Sequence, residues 1–261
     1  PLNEGNKRQA YFPEGAKIIP NENGTAPACI IEFDEKVLVI LPGPPREVIP
    51  LMEKYIIPYL EKRTGKVFIS DIINISGIGE GHMEEKIMDI IEAQENPTVA
   101  PYAKEHGLTL RVTASARTEQ EARSLLEPVV KKICDRLGMD VYAIGDTTLE
   151  AVVASLLIEQ NLSISVAESC SGGLLAGRLI NYPGISKVFK EGFITYSNES
   201  KINTLGVDSK ILSKYGAVSE EVAKQMAKGA ADRAKSDVAL SITGIAGPDG
   251  GTDEKPVGLV Y

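Results

Sequence analysis

Apolar positions recur along this chain with two periods, and the changes between them mark its elements. Alternating or short apolar runs predict strands at 30–33, 37–41, 66–75, 108–116, 141–143, 162–167, 193–196, 238–242 and 257–261. Helical spacing predicts helices at 46–61, 82–93, 119–137, 149–160, from 174 onward, 199–205, 208–215 and 220–235. The starts are marked too. Thr147-Thr148-Leu149-Glu150 reads as a capping box, and Ser219 as an N-cap with Glu220 and Glu221 in the first turn.

Punctuation divides these elements into segments 1–63, 64–145 and 146–261. The first pairs two strands with a helix behind Leu41-Pro42-Gly43-Pro44-Pro45, a turn that is either a phosphate holder or a rigid connector. Asn23-Gly24-Thr25-Ala26 is a polar turn of the same kind. The second is a small α+β unit. Its Gly77-Ile78-Gly79-Glu80-Gly81 loop could clamp a nucleic-acid backbone, but Glu80, Glu84 and Glu85 oppose phosphates and favour a helix start instead. The third alternates strands with helices, which predicts an α/β fold with a three-layer α/β/α architecture.

Within the third segment, Val166-Ala167-Glu168-Ser169-Cys170-Ser171-Gly172-Gly173 carries an apolar strand into three candidate nucleophiles and a helix. Such a turn exposes backbone N–H groups to a phosphate or a developing oxyanion, although small residues also suit a plain tight loop. The segment contains no histidine, so no Ser-His or Cys-His pair can form within it. Lysine is the substitute base. Lys201 follows a strand, with Asn198 as a cap for its helix, where partial burial would favour the neutral amine; a solvated surface lysine is the alternative. The loop 243–251 offers glycines and free N–H groups for an anion, with Arg178 and Lys255 as possible cationic partners, or serves as a flexible connector.

Composition narrows the classes. With 43% hydrophobic and 25% charged residues in 261, usage is that of a globular protein. A net charge of −8 argues against a dedicated DNA binder and fits a cytoplasmic location. No run is long enough for a membrane span. Cys29, Cys134 and Cys170 are odd in number and far apart, which indicates reduced thiols and no metal site; His82 and His106 read as surface or packing residues. The ends, at Pro1-Leu2-Asn3 and at Val257 to Tyr261, read as cut points.

Four motifs, in order, resemble the C-terminal domain of the CinA (competence/damage-inducible) family: residues 167–173, 192–201, 216–219 and 241–251. Residues 13–16, 23–27 and 41–45 resemble the end of that family's molybdopterin-binding-like N-terminal domain, and 64–145 its KH-like connector. The resemblance implies deamidation of nicotinamide mononucleotide by a serine-lysine hydrolase, without a cofactor. It makes Ser169 the nucleophile and Lys201 the base, with Tyr196 and Ser197 orienting the lysine and Thr243 near the oxyanion. Cys170, Ser171, Gly172, Gly173 and Gly244 would line the reacting group; loop chemistry alone, apart from the resemblance, offers the phosphate either the 247–251 loop with Gly247, Gly250 and Gly251 or Arg178. Cys170 stands as a rival nucleophile. Two other functions are implied: metal-dependent ADP-ribose pyrophosphatase action, confined to an intact N-terminal domain with its divalent ion, and a noncatalytic competence module. Homo-oligomers are compatible with the sequence, although no motif carries one.

Overall fold

The computed structural model describes residues 8–104 and 107–261, so His106 and the first residues lie outside it. The chain forms two compact units, one of residues up to Asp71 with Glu84–Pro101 and Arg111–Arg136, the other of Ile72–Met83, Tyr102–Leu110 and Leu137–Tyr261.

The opening segment is an antiparallel sheet of β1 (Lys17–Ile19), β2 (Ala28–Phe33) and β3 (Lys36–Ile40), backed by α1 (Pro45–Leu51) and α2 (Ile57–Thr64). Ile19, Ala28 and Ile30 pack on Leu51 and Ile56. A single helix was expected over 46–61. Instead a π-helical turn, Met52–Ile56, separates α1 from α2, between Pro50 and Pro58, which lack the N–H of a regular ladder. β1 is too short for its period to show in the sequence. The turn at 23–26 lies against the chain's own carboxylate: Glu47, buried, accepts from Asn21 Nδ2 at 2.7 Å, while the amides of Glu47 and Val48 donate to Pro44 O at the end of the 41–45 turn. A Cβ on Gly24 would lie 2.0 Å from Glu47 Oε2, so any larger residue there would have to displace that side chain.

The middle segment holds a four-stranded sheet ordered β5-β6-β4-β7, from β4 (Val67–Ile75), β5 (Thr98–Lys104), β6 (Gly107–Ala116) and β7 (Val141–Ile144), with α3 (Glu80–Glu92) and α4 (Glu119–Leu137). β5 escaped the pattern because Pro101 interrupts it, and an edge strand tolerates that proline. Arg136 and Lys132 tie α4 to Asp89 on α3 and hold its carboxyl well below the usual carboxylate range. His82 is exposed.

The third segment is the three-layer α/β/α sandwich. Its parallel sheet runs β10-β8-β9, from β8 (Ile164–Glu168), β9 (Phe189–Ile194) and β10 (Val238–Ile242). Alternate residues of the central strand serve opposite cores. Ile164 and Val166 pack with Ala154 and Leu157 of α5 (Leu149–Glu159) and Leu179 of α6 (Leu174–Ile180). Ala167 faces Leu205 of α7 (Asn198–Leu205), Leu212 of α8 (Ser209–Tyr215), and Val222 and Met226 of α9 (Glu220–Ala234). All five residues of β8 are buried.

Two expectations shift. β9 begins four residues before the predicted 193, since Lys190 and Glu191 lie exposed on a strand at the sheet's edge and hide its period. The predicted strand 257–261 reduces to one antiparallel bridge, Gly244 with Val260, because Gly258 turns the backbone at φ 92°. The helix caps are refined as well. Thr148, not Thr147, caps α5 by accepting from Ala151 N at 3.3 Å. Ser219 caps α9 as expected.

Candidate active site

The chain leaves β8 through α6 on one face of the sheet and reaches β10 through α7, α8 and α9 on the other, so the strand order reverses at β8. Open parallel sheets bind ligands outside the carboxyl ends of their strands at such a switch point. Glu168, Ile194 and Ile242 end the three strands side by side. The ladder carries one step further: Ser169 N donates to Ile242 O at 2.9 Å, and Thr195 N to Glu168 O at 2.8 Å. Ser169, Thr195 and Thr243 thus leave the sheet together.

Lys201 sits one turn into α7 and is 1% exposed, the largest fully buried side chain described. Its Nζ donates to Ser169 Oγ at 2.9 Å, to Thr195 O at 2.8 Å and to Tyr196 O at 3.2 Å. Burial pushes the amine below the ordinary lysine range, with the nearby Cys170 thiol opposing the shift. The partners constrain its protonation chemistry. An ammonium saturates three acceptors; a neutral amine keeps two N–H bonds and one lone pair. Two of the neighbours are carbonyls, which only accept, so the lone pair meets the one partner with a proton to give, the Ser169 hydroxyl.

Around this pair the expected residues divide. Tyr196 contributes its carbonyl, while its side chain is 74% exposed. Ser197, rather than Asn198, caps α7: its Oγ accepts from Ser200 N at 3.0 Å and its carbonyl from Lys201 N. Cys170 lies against Gly244, whose added Cβ would sit 3.1 Å from Sγ and 2.8 Å from Leu259 O. Ser171 Oγ is buried without a partner. Gly172 and Gly173 adopt positive φ, 59° and 105°, which the tight turn requires. Their amides are engaged, Gly172 N by Ser169 O and Gly173 N by a Glu168 carboxylate oxygen.

Three residues act elsewhere than expected. The Thr243 hydroxyl donates to Ala217 O at 2.8 Å and its amide to Tyr261 O at 3.0 Å, so its side chain pins the 216–219 loop. Arg178 is ion-paired with Glu150 beside a cavity of about 270 Å³ that Asn74, Thr109 and Tyr142 also line, and whose lining includes neither Ser169 nor Lys201. Lys255 Nζ donates to Tyr215 O and Val218 O, both at 2.7 Å. The glycine loop folds back on itself: Gly247 and Gly251 pack on Val257, and Ile245 N donates to Leu259 O.

Glu168 was passed over by sequence reasoning. It is 1% exposed, and its carboxylate accepts from the amides of Gly173 and Leu175 at 3.0 Å and of Ala176 at 2.8 Å. The signal was present: a charged residue ends a strand that is otherwise apolar or small. Thr195 was also missed, a residue whose carbonyl holds the lysine and whose hydroxyl is buried without a partner.

Residues 146–261 match the family model described as the CinA C-terminal domain, and residues 70–143 match that of the damage-inducible protein CinA KH domain. Over 260 residues the chain is 58% identical to a protein of Alkaliphilus oremlandii (strain OhILAs) named "Putative competence-damage inducible protein", and it covers 63% of that protein. The protein of the same name from Alkaliphilus metalliredigens (strain QYMF) is 60% identical over 261 residues, with 64% of its length covered. All of this chain is matched in both, so it spans somewhat under two thirds of these relatives. Among solved structures, the competence/damage inducible protein CihA from Agrobacterium tumefaciens is 47% identical over 43% of this chain and 68% of that one, at a TM-score of 0.41.

Proposed function

The chain belongs to the CinA family, and from that premise we propose that residues 146–261 hydrolyse the carboxamide of nicotinamide mononucleotide to nicotinate mononucleotide and ammonia. The observation that carries an amidohydrolase reading is the buried contact of Lys201 Nζ with Ser169 Oγ at 2.9 Å, in a segment without histidine. The choice of substrate rests on the family resemblance.

Ser169 Oγ attacks the amide carbon while Lys201 takes the hydroxyl proton. Thr195 O and Tyr196 O then hold two N–H bonds of the resulting ammonium. As the tetrahedral intermediate collapses the C–N bond breaks, and Lys201 passes its proton to the departing nitrogen, which leaves as ammonia. Water attacks the acyl ester as Lys201 again takes a proton, and when the ester C–O bond breaks Lys201 returns that proton to Ser169 Oγ, restoring the hydroxyl and releasing the acid, which ionises to the carboxylate. Within the turn, internal bonds use the amides of Gly172, Gly173 and Leu174, which leaves those of Cys170 and Ser171, beside Gly244, to face the oxyanion. The substrate phosphate meets the 247–251 loop. No step requires a metal, and deamidation is expected to persist in excess chelator.

The assay is ammonia release from nicotinamide mononucleotide. Ser169→Ala and Lys201→Ala are each expected to lower kcat at least about a thousandfold, the scale on which removing a member of a nucleophile-base pair acts. Cys170→Ala should retain most of the rate. If Cys170→Ala abolished deamidation while Ser169→Ala spared it, the assignment of the nucleophile would be wrong.

A further inference from the structure

We infer that Glu168 is a positioning residue for the serine-lysine chemistry proposed above, one that fixes the nucleophile's turn without touching substrate. A buried carboxylate is costly unless hydrogen bonds compensate it, and this one is 1% exposed. Its three partners are all backbone N–H groups on the far side of the turn, Gly173, Leu175 and Ala176. The segment between carboxylate and amides is Ser169 to Gly172. It is thereby stapled at both ends, by the strand bond from Ser169 N to Ile242 O and by the carboxylate at the start of α6.

Two consequences follow for the site. The start of α6 is already occupied by a charge of the protein's own, so the substrate's phosphate is directed away from it. The turn carries Gly172 and Gly173 at positive φ, and the carboxylate's bond to Gly173 N fixes the far end of the path on which Ser169 reaches Lys201. A displacement of about 1 Å between reacting groups is enough to cost on the order of a hundredfold in rate.

The sharpest variant is Glu168→Gln. One oxygen of Glu168 takes Ala176 N and the other takes Gly173 N and Leu175 N, whereas a carboxamide offers one accepting oxygen and turns an NH2 toward the remaining donors. The experiment uses the full chain and three readouts: the rate at which a β-lactone probe acylates Ser169, its ring C–O bond opening as the ester forms, followed by mass; kcat and KM for nicotinamide mononucleotide; and Tm. Ser163→Ala is the control. It removes a bond to Asp237 at the opposite end of β8 and should lower Tm while acylation stays within about twofold. Glu168→Gln should slow acylation and kcat by roughly 10- to 100-fold, with KM within about twofold and the pH at which the rate levels off unchanged. Should it not fold, Glu168→Asp takes its place under the same criteria.

A Glu168 variant that loses Tm like the control yet acylates at the wild-type rate overturns the inference. If wild-type Ser169 is acylated but nicotinamide mononucleotide is not deamidated, the substrate reading fails and the acylation rates still decide the role of Glu168. No acylation of wild-type Ser169 overturns both.

Discussion

A lysine in water keeps its proton far above neutral pH, so its use as a base depends on surroundings that penalise the charge. Lys201 has them: burial lowers its pKa and the Cys170 thiol partly restores it. With the neutral amine as the proposed base, kcat/KM should rise with pH and level off below the ordinary lysine range. Cys170→Ala removes the opposing influence and should move that rise to lower pH; a shift to higher pH in the measured profile would contradict the account. The sign for stability is the same. Between the lowered folded value and the ordinary one the unfolded chain holds the extra proton, so this group's contribution to stability increases with pH across that window. At this scale the sequence exposed Ser169 and Lys201 as chemically suited, but not Glu168 or the Thr195 carbonyl. Backbone acceptors and amides carry no sequence signal of their own.

Helices were legible where an apolar face recurs at helical spacing, as in α4 and α9, and strands where burial is two-sided, as in β8, or where the run is wholly apolar or small, as in β10. They were hidden in β5, where Pro101 interrupts the strand, and at the start of β9, where exposed Lys190 and Glu191 break the period. Packing between elements was not legible at all, and it sets the depth of the lysine. Gly229 on α9 lies so close to the end of α7 that an added Cβ would be 2.0 Å from Leu205 O. Gly229→Ala should therefore force α7, the helix that carries Lys201, away from α9. A loss of about 1–3 kcal/mol in stability, read from denaturant midpoints, is expected together with a fall in kcat. An unchanged midpoint would mean that the close approach is not needed. Thr243→Val tests the other flank: losing the bond to Ala217 should loosen the 216–219 loop and lower Tm, with a smaller effect on kcat than Ser169→Ala.

For the whole molecule, a net charge of −8 sets the expectation for partners. No salt-sensitive retardation of DNA is expected at physiological ionic strength, and a clear shift in a mobility assay would reverse that view. No helix among the described residues is long and apolar enough to cross a membrane. Composition, period and the four C-terminal motifs were local properties, and the sequence alone determined from them the α/β class, most of the elements and the family, and offered the two residues on which the proposed chemistry rests. Tertiary structure decided the rest. It brought Lys201 to Ser169 across 32 positions of chain, engaged Arg178 and Thr243 in bonds elsewhere, and set the buried Glu168 carboxylate on the amides of Gly173, Leu175 and Ala176. The physical reason is that a side chain's partners and burial are set by what the folded strands and helices place beside it, and distance along the chain does not encode that.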